Sequence, residues 1–427
     1  MREFMSQSFY TLRDTCRLCH SGRMNKVVPL AALPVASPNV GQSTLVEDVA
    51  PADCWQCEDC GHLQLATIVD PAFQYRNFQY ETGISLGLRE HFGRFMGELV
   101  ERGDLKDDSF VIDIGSNDGS LLQLAKDHGG SKVLGIDPAE RIARDATARG
   151  VPTIGDFFTP DLADTIAAEH GRADVVISNN TVANIDDLHS LFGGMRTVLA
   201  DDGIVVVETQ YGLDMIERML LDVIYHEHVS YFATRPMQTF FEAVGLELIR
   251  AERIAPKGGS IRFIAQKKGG PRSVDASVVE LIVEEEKAGF YDGRMFDTFN
   301  KRIADTGAEI RKRLEASREQ TARGLVFGAS VGCAALIHYF ELGDLIDAVF
   351  DDTPLTNVIR STHGDIPVLT GAQLKNEMPC DVGVLAWRYT TAIASGQQDF
   401  VAAGGRFYRA LPDLAYRDGT EDEKPMA

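Results

Sequence analysis

The sequence predicts an α/β protein of three parts: a small cysteine-rich unit, a doubly wound parallel sheet and a second sheet of the same kind. Five of the seven cysteines lie within the first 60 residues, in C-x-x-C pairs. From about residue 103 to 265, apolar strand-like runs alternate with helical patterns, and a similar alternation begins near residue 324. Because 427 residues exceed what one hydrophobic core usually supports, two or three domains are expected.

The composition narrows the class of protein and of partner. Hydrophobic residues make up 44% and charged residues 25% of the chain, as in soluble globular proteins. The formal net charge of −21 argues against nucleic acid or an anionic membrane as a partner, since both attract basic surfaces. No apolar run is long enough to span a bilayer, and the amino terminus lacks the pattern of a signal peptide, so we expect a cytoplasmic protein.

The amino-terminal cysteines predict a structural zinc site. Two C-x-x-C pairs separated by a few tens of residues supply four thiolates for a tetrahedral Zn²⁺, and such a closed site has no open position for chemistry. It would stabilise a unit with little core of its own. The preferred ligands are Cys16, Cys19, Cys57 and Cys60, although Cys54 or His62 could replace one of them.

The central ligand site is predicted by residues 111–122, where an apolar β-branched run leads through a glycine turn into a helical pattern. Glycines let a ligand approach the main chain, and the helix start offers unpaired N–H groups. The spacing is not G-x-G-x-x-G, and Asp113 and Asp118 would repel a pyrophosphate, so a cationic cofactor without phosphate is favoured. Asp137 ends the next strand, where such folds hydrogen-bond ribose hydroxyls. An ordinary βαβ unit with a solvated aspartate is the alternative.

Further cofactor candidates follow later strands, because ligands of such sheets lie at the carboxyl ends of the strands. Asp156 and Phe157 suit the amino group and ring face of an adenine, and Asn179 and Asn180 suit the other end of the cofactor or the reacting centre. A surface aspartate and buried turn amides explain these residues about as well. The candidate cofactor residues are Asp113, Gly115, Ser116, Asn117, Gly119, Asp137, Asp156, Phe157, Asn179 and Asn180.

The most reactive-looking segment is residues 225–231, which combines Tyr225, His226, Glu227, His228 and Tyr231. It offers a base that titrates near neutrality, an orienting acid and hydroxyl donors. Neither the H-E-x-x-H spacing of zinc proteases nor the zinc-deaminase pattern is present. Acid–base chemistry is therefore favoured over metal binding or a purely structural role.

Three other segments could reach a substrate. The aromatic run 73–80 ends in Tyr80, although packing between domains explains it better. Lys257, followed by two glycines and preceding Arg262, could form an anion-binding corner or only a hairpin bend. After a helical layer at about 274–322, the turn 328–332 could cradle a nucleotide diphosphate, but G-A-S-x-G is a weak motif.

With these pieces in order, the chain resembles the sugar C-methyltransferase family, whose members use S-adenosylmethionine (SAM) to methylate C-3 of nucleotide-linked 4-keto-6-deoxysugars. The motifs that carry the resemblance are the paired C-x-x-C, residues 113–119, Ile224–Phe232, Gly258–Ser260 and Gly328–Ser330. It implies a zinc-binding domain over 1–72 and a class I SAM-methyltransferase domain with a Rossmann-like sheet over 73–270. Over 271–427 it implies a helical connector and a second Rossmann-like domain that binds the sugar nucleotide.

The resemblance also implies a chemistry and a set of roles. His228 corresponds to the base that removes the C-3 proton, Glu227 to a group that binds or orients the sugar, and Tyr225 and Tyr80 to phenols beside the enolate. SAM and a structural Zn²⁺ are the implied cofactors and a nucleotide-linked keto-sugar is the implied partner. Neither nucleic acid nor membrane is implied, and the oligomeric state stays open, a monomer being compatible with one site built from three internal domains.

The sequence departs from the family at three places. Phe78 replaces the first tyrosine of a Tyr-x-Tyr motif, and Asn184 and Lys257 stand where the family often has histidine. A different sugar, ring carbon or acceptor is therefore an open alternative. The other functions that we consider are a SAM-dependent O-methyltransferase of a sugar or small molecule and a noncatalytic SAM-binding scaffold; Tyr225, Glu227 and His228 count against the scaffold.

Overall fold

The computed structural model describes residues 10–35, 49–76, 78, 81–82, 87–129 and 132–420. Tyr80, which the sequence analysis assigns to the catalytic site, lies outside these residues. Within the described part, no helix combines the length and the apolar character that a membrane crossing needs.

The amino-terminal part consists of short strands around the cysteine pairs. Its elements are β1 (Tyr10–Leu12), β2 (Met24–Val28), β3 (Leu33–Pro34), β4 (Val49–Ala50), β5 (Cys54–Cys57), β6 (Leu63–Leu65), β7 (Thr67–Val69) and α1 (Pro71–Tyr75). Strands β2, β5 and β6 form an antiparallel sheet, and its register places Met24 opposite Cys57. The tight turn after β5 closes with Cys57 N–H donating to the carbonyl of His62, which turns the second cysteine pair back toward the first.

The middle part is a mixed sheet with helices on both faces. Its elements are α2 (Leu88–Glu101), β8 (Phe110–Ile114), α3 (Ser120–Gly129), β9 (Lys132–Ile136), α4 (Glu140–Ala148), β10 (Thr153–Ile154), α5 (Pro160–His170), β11 (Ala173–Asn179), α6 (Leu188–Val198), β12 (Leu199–Gln210), α7 (Gly212–Glu217), β13 (Ser230–Tyr231), α8 (Thr234–Ala243), β14 (Leu246–Ile254) and β15 (Ser260–Lys267). The strand order is β10-β9-β8-β11-β12-β15-β14, parallel up to β12 and antiparallel beyond it. Every residue of β8 is buried, as expected for a strand covered on both faces.

The carboxyl-terminal part begins with two helices and continues as a second sheet. Its elements are α9 (Ala276–Ala288), α10 (Arg294–Thr321), β16 (Leu325–Phe327), α11 (Val331–Tyr339), β17 (Ala348–Asp351), β18 (Val358–Ser361), β19 (Gly364–Thr370), β20 (Asp381–Val384), α12 (Thr390–Gly396), α13 (Gln398–Ala402), β21 (Arg406–Arg409) and β22 (Tyr416–Arg417). The strand order is β18-β19-β17-β16-β20-β21-β22, with antiparallel strands at both edges of a parallel centre. The predicted alternation of strands and helices is therefore confirmed in both sheets.

One strand ties the middle part to the zinc-site sheet. β13 follows the segment 225–229 in the chain, yet it pairs with β6 of the amino-terminal sheet, Tyr231 opposite Leu63. The reactive segment is thus held between two sheets. The carboxyl ends of β8, β9, β11 and β12 face the same edge of the middle sheet, which is where the predicted ligand residues lie.

Candidate active site

The four preferred cysteines form one compact cluster. The Sγ atoms of Cys16, Cys19, Cys57 and Cys60 all lie within 4.8 Å of one another. Cys16 Sγ is 3.6 Å from Cys60 Sγ, and Cys19 Sγ is 3.5 Å from Cys57 Sγ. A tetrahedral zinc with thiolates at its usual bond length separates sulfurs by roughly 3.8 Å, so the cluster fits that ion.

The two alternative zinc ligands do not take part. Cys54 is buried in the core of the amino-terminal sheet and lies outside the cluster. His62 is fully buried, and its Nε2 is 3.2 Å from the hydroxyl of Ser230, while burial lowers the pKa of its imidazole to about 3. Among the described residues, groups of three or more metal-ligating side chains occur at the four cysteines and not at the histidines of residues 226–228.

The predicted cofactor loop lies across the end of β9. Gly115 N–H and Ser116 N–H both donate to the carbonyl of Ile136, at 2.8 and 3.1 Å. Gly115 has a φ of 80°, and a Cβ there would lie 2.1 Å from Thr181 Oγ1. Glycine is therefore required by both backbone conformation and space at this position. Gly119 also has positive φ, and a Cβ there would press on Val151.

Several buried polar atoms at the ends of β8 and β11 have no hydrogen-bond partner among the described residues: Asp113 Oδ1, Ser116 Oγ and both side-chain polar atoms of Asn179. Buried polar groups are normally paired, so these atoms fit a polar ligand that completes them. Burial, together with the charge of Asp137, raises the pKa of Asp113 to about 8. A cationic ligand would favour the ionised carboxylate, which agrees with the cationic cofactor that the sequence predicts.

Asp137 is partly engaged by the backbone. Its Oδ2 accepts a hydrogen bond from Asn117 N–H at 2.9 Å and its Oδ1 accepts one from Ala139 N–H at 2.9 Å. Burial raises the pKa of this carboxyl as well. Asp137 therefore shapes the loop, and each of its oxygens keeps a further lone pair that could reach a ribose hydroxyl.

The remaining cofactor candidates differ in their exposure and in their contacts. Asp156 has an exposed carboxylate, and the guanidinium of Arg76 lies 5.2 Å from the ring centre of Phe157. Asn180 has a φ of 56°, and its N–H donates to the carbonyl of Glu208 at 2.7 Å. Asn117 Oδ1 accepts a hydrogen bond from Thr82 N–H at 2.8 Å, so Thr82 lies beside the cofactor loop.

His228 has one nitrogen occupied and one directed to the site. Its Nδ1 is 2.7 Å from the carbonyl of Val223, which fixes the proton on Nδ1 and leaves Nε2 as the acceptor. Nε2 is 3.1 Å from the amide nitrogen of Gln210 and 3.5 Å from the hydroxyl of Tyr225. Burial lowers the pKa of His228 to about 4, so the neutral imidazole, the form that can take a proton, predominates at neutral pH.

The other histidine of the segment has a structural position. His226 Nε2 is 3.2 Å from the carbonyls of both Ala50 and Pro51, in the amino-terminal part. Burial lowers its pKa too. The structure therefore separates the two imidazoles, and His228 is the one that faces the same space as Tyr225 and Gln210.

Glu227 and Lys257 carry opposite charges that influence one another's pKa. Burial raises the pKa of Glu227 to about 7, an effect that the ammonium of Lys257 opposes. Burial and the charge of Arg388 lower the pKa of Lys257 to about 8, and Glu227 opposes that shift. The anion-binding corner of Lys257 with Arg262, which the sequence left open beside a hairpin bend, does not form. Arg262 Nη1 donates to Glu98 of α2 at 2.6 Å, and its Nε donates to Glu208 Oε1 of β12 at 2.7 Å.

The structure adds two residues, Tyr75 and Gln210, that the sequence did not identify as part of the site. The hydroxyl of Tyr75 is 3.4 Å from the carbonyl of Glu227, although the sequence favoured a packing role for this aromatic run. Gln210 ends β12, and the rule that ligands lie at the carboxyl ends of strands could have identified it. No local pattern distinguishes Tyr75 from its aromatic neighbours.

The carboxyl-terminal part contacts the reactive segment directly. Arg388 binds Asp222 through two hydrogen bonds, Nη1–Oδ2 at 2.5 Å and Nη2–Oδ1 at 3.2 Å. Tyr339 donates its hydroxyl to the carbonyl of Ile224 at 2.7 Å, and a Cβ on Gly332 would lie 2.3 Å from the carbonyl of Asp222. The weak motif at 328–332 therefore begins a helix that packs on residues 222–224, just before the reactive segment.

Comparison with known proteins assigns each part. A zinc-binding-domain model matches residues 16–75, a methyltransferase-domain model matches 88–251, and a model described as the C-methyltransferase C-terminal domain matches 255–412. C-methyltransferase NovU of Streptomyces niveus is 29% identical over 411 residues, covering 94% of this chain and 96% of that protein. Ribosomal protein L11 methyltransferase of Dictyoglomus turgidum is 32% identical over 140 residues, 32% of this chain and 45% of that protein.

Two solved structures illustrate a likeness that covers less than half of this chain. A SAM-dependent methyltransferase from Archaeoglobus fulgidus has a TM-score of 0.36 and 15% identity, covering 42% of this chain and 94% of that one. Magnesium protoporphyrin IX methyltransferase of Synechocystis, solved with bound SAM, has a TM-score of 0.33 and 14% identity, covering 43% and 81%. Likeness of this degree says nothing about the substrate.

The matched domains follow one another in the order that the sequence predicts, and the match to NovU spans nearly the whole of both chains. The class I methyltransferase sheet, the zinc-binding domain and the second α/β domain are therefore confirmed, as are SAM and zinc as cofactors. The O-methyltransferase and the scaffold protein, which the sequence left open, are set aside. These findings support a SAM-dependent C-methyltransferase with an amino-terminal zinc-binding domain.

Proposed function

We propose that this enzyme methylates C-3 of a nucleotide-linked 4-keto-6-deoxysugar through an enolate, in deoxysugar biosynthesis. The observation that carries the proposal is the orientation of His228. Its Nδ1–H donates to the carbonyl of Val223, and its Nε2 lies 3.1 Å from the side-chain amide nitrogen of Gln210 and 3.5 Å from the hydroxyl of Tyr225. A neutral, oriented imidazole is the group that abstraction of a proton next to a ketone requires.

The residues divide the chemistry as follows. His228 Nε2 takes the C-3 proton, and the electron pair of the broken C–H bond forms the enolate. Tyr225, whose ring centre is 4.4 Å from that of His228, presents its hydroxyl beside the base. Glu227 accepts a sugar hydroxyl and orients the ring. Bound SAM supplies an electrophilic methyl group, which the C-3 carbanion receives.

The charges at the site support an anionic, nucleotide-linked acceptor. The protein is strongly acidic overall, with a formal net charge of −21. Lys257 and Arg388 nevertheless lie together where the middle and carboxyl-terminal parts meet, the Arg388 Nε atom being 3.0 Å from the position of a Cβ on Gly258. Arg388 Nε and Trp387 Nε1 are buried and lack hydrogen-bond partners among the described residues. Phosphate oxygens of a nucleotide diphosphate would pair such donors.

We also propose the functional boundaries that the sequence suggests. Residues 1–72 bind zinc, residues 73–270 bind SAM, and residues 271–427 bind the nucleotide of the acceptor. SAM would lie on Asp113, Gly115, Ser116, Asn117 and Gly119, with Asp137, Asp156 and Phe157 near its adenosine, and with Asn179 and Asn180 near its methionine end. Tyr80 would add a second phenol beside the enolate.

The test is turnover of purified protein with SAM and a panel of nucleotide-linked 4-keto-6-deoxysugars in deuterium oxide. Mass spectrometry should report one added methyl group, and proton NMR should report loss of the C-3 proton signal. H228N should lose turnover and keep SAM binding, whereas H170N, which removes an exposed histidine at the end of α5, should behave as wild type. Methylation at another carbon would correct the position, and no transfer to any keto-sugar would overturn the proposal.

A further inference from the structure

A short turn that ends just before the reactive segment fixes the proton of His228. The carbonyl of Val223 lies 2.7 Å from His228 Nδ1. A carbonyl only accepts hydrogen bonds, so Nδ1 carries the proton and Nε2 keeps its lone pair. Val223 is the last residue of the 3₁₀ turn Leu221–Val223. Ile224 N–H, which lies in the same peptide plane as the Val223 carbonyl, donates to the carbonyl of Leu221 at 3.2 Å. The direction of the Val223 carbonyl therefore depends on where this turn is held.

The carboxyl-terminal part holds the residues on both sides of Val223. Arg388 binds the carboxylate of Asp222 through Nη1–Oδ2 at 2.5 Å and Nη2–Oδ1 at 3.2 Å. The side chains of Arg388 and Asp222 are only 15% and 10% exposed, so water competes little for this pair. The hydroxyl of Tyr339 donates to the carbonyl of Ile224 at 2.7 Å. Two hydrogen-bonded contacts from one distant part of the chain thus flank the carbonyl that binds His228.

These contacts lie at the point of the second sheet where an α/β sheet usually places functional residues. β16 pairs in parallel with β17 on one side and with β20 on the other, so the strand order reverses beside it. Such a switch point opens a crevice at the carboxyl ends of the two strands. Arg388 follows β20, and α11 follows β16. A Cβ on Gly332, in the first turn of α11, would lie 2.3 Å from the carbonyl oxygen of Asp222. Asp222 therefore lies in this crevice, between the two elements.

We propose that Arg388 and Tyr339 are positioning residues, through which the carboxyl-terminal part sets the tautomer and the orientation of His228. This inference rests on the proposed function, in which His228 Nε2 takes the C-3 proton. Both residues act through the carbonyl of Val223. When the turn shifts, Nδ1 loses its acceptor and the imidazole is free to carry its proton on Nε2 instead. An imidazole with that proton has no lone pair on Nε2 to receive the one from C-3.

The tautomer can be measured without any acceptor. Long-range proton–nitrogen correlation NMR of the zinc-loaded full-length protein reports which ring nitrogen carries the proton, and the His228 signal is assigned by its absence in H228N. Wild type should show the Nδ1–H form, and R388M and Y339F should each shift the signal toward the Nε2–H form. R406M is the matched control. It breaks the pair of Arg406 with Asp381, at 2.7 and 2.8 Å, at the amino end of β20, and should match wild type.

Kinetics measure the consequence for proton removal. With S-adenosylhomocysteine in place of SAM, wild-type enzyme in deuterium oxide should exchange the C-3 proton of the keto-sugar, as followed by proton NMR. R388M should slow this exchange and kcat by about 10²-fold, the cost of moving a reacting group by about 1 Å. Y339F should slow both by a smaller factor, with KM unchanged. R388K should recover part of the rate and of the Nδ1–H form, because lysine keeps one charged donor for Asp222.

The outcomes separate this inference from the function on which it rests. Calorimetric SAM affinity, measured well below the melting temperature, should be unchanged in every variant, which shows that each is folded. An unchanged Nδ1–H signal in R388M and Y339F would overturn the positioning role and leave the proposed function intact. Slower exchange without a change of tautomer would overturn it as well. A wild-type enzyme that neither exchanges nor methylates any keto-sugar would overturn both proposals.

Discussion

Substitution of Asp113 by asparagine tests whether a buried carboxylate selects the cationic cofactor. Asp113 is 3% exposed, and its Oδ1 has no hydrogen-bond partner among the described residues. Burial and the charge of Asp137 raise its pKa from 3.8 to about 8. At neutral pH the empty site therefore holds a mostly neutral acid, whereas binding of a cation favours the ionised form.

The pKa sets the size of the effect. At pH 7, ionising a group with a pKa of about 8 costs about 1.4 kcal/mol, so cofactor affinity is reduced about 10-fold from its limit at high pH. Over the range from pH 6.5 to 8.5, the same relation predicts that Kd for SAM falls about 25-fold. Without cofactor, the free energy of unfolding changes with pH in the opposite direction. Because the pKa of Asp113 is higher in the folded than in the unfolded state, this group stabilises the fold at low pH. That stability is lost as pH rises from about 4 to about 8.

Calorimetric titration of SAM at pH 6.5, 7.5 and 8.5 measures this dependence. The amino group of SAM loses its proton near pH 8, which weakens binding at high pH and must be separated from the effect of Asp113. D113N retains only that opposing contribution, so the difference between the two slopes belongs to Asp113. D127N, which changes an exposed aspartate on α3, should keep the wild-type slope. Identical slopes for wild type and D113N would refute the reasoning.

Three further predictions follow from the geometry. H228N should lower kcat by about 10² to 10⁴-fold with SAM affinity unchanged, because it removes the proposed base; turnover near the wild-type rate would reject that role. C60S should lose bound zinc and lower the melting temperature, whereas C54S should keep the metal, as measured by atomic emission and thermal unfolding; zinc retained in C60S would contradict the cluster. R388M should lower stability by about 1–3 kcal/mol in denaturant titration, because it leaves the carboxylate of Asp222 unpaired; an unchanged midpoint would count against the contact.

Much of the architecture could be predicted from the sequence because its signals are local. The run that forms β8 is apolar and β-branched, and the glycine turn follows it directly. The spacing of the cysteine pairs predicts their cluster, because four thiolates spaced in this way usually bind a structural zinc ion. Sequence spacing does not separate Cys54 from Cys57 as a zinc ligand. The structure does, because β5 places Cys57 beside the other cysteine pair and leaves Cys54 in the core.

Long-range contacts could not be predicted in the same way. The sequence left open whether Arg262 joins Lys257, five residues away, in an anion-binding corner; in the structure Arg262 instead binds Glu208 of β12 and Glu98 of α2. Tyr75 belongs to the site through its contact with Glu227, 152 residues away in the chain. Such placements depend on how distant helices and strands pack together, and a local sequence pattern does not specify that packing.

The structural zinc site is connected to His228 through contacts made by the cysteine-rich part. Arg17, between two of the zinc ligands, is fully buried, and its Nη1 donates to the carbonyl of Val229 at 3.1 Å. Its Nε donates to Asp186 at 2.9 Å, so Arg17 links the cysteine-rich part to the middle part next to His228. On the other side, the hydroxyl of Tyr339 holds the carbonyl of Ile224. Residues 224–229 have little regular structure of their own, so contacts from both flanking parts fix their geometry. The cysteine cluster thereby helps to position the residue that we propose as the base, His228.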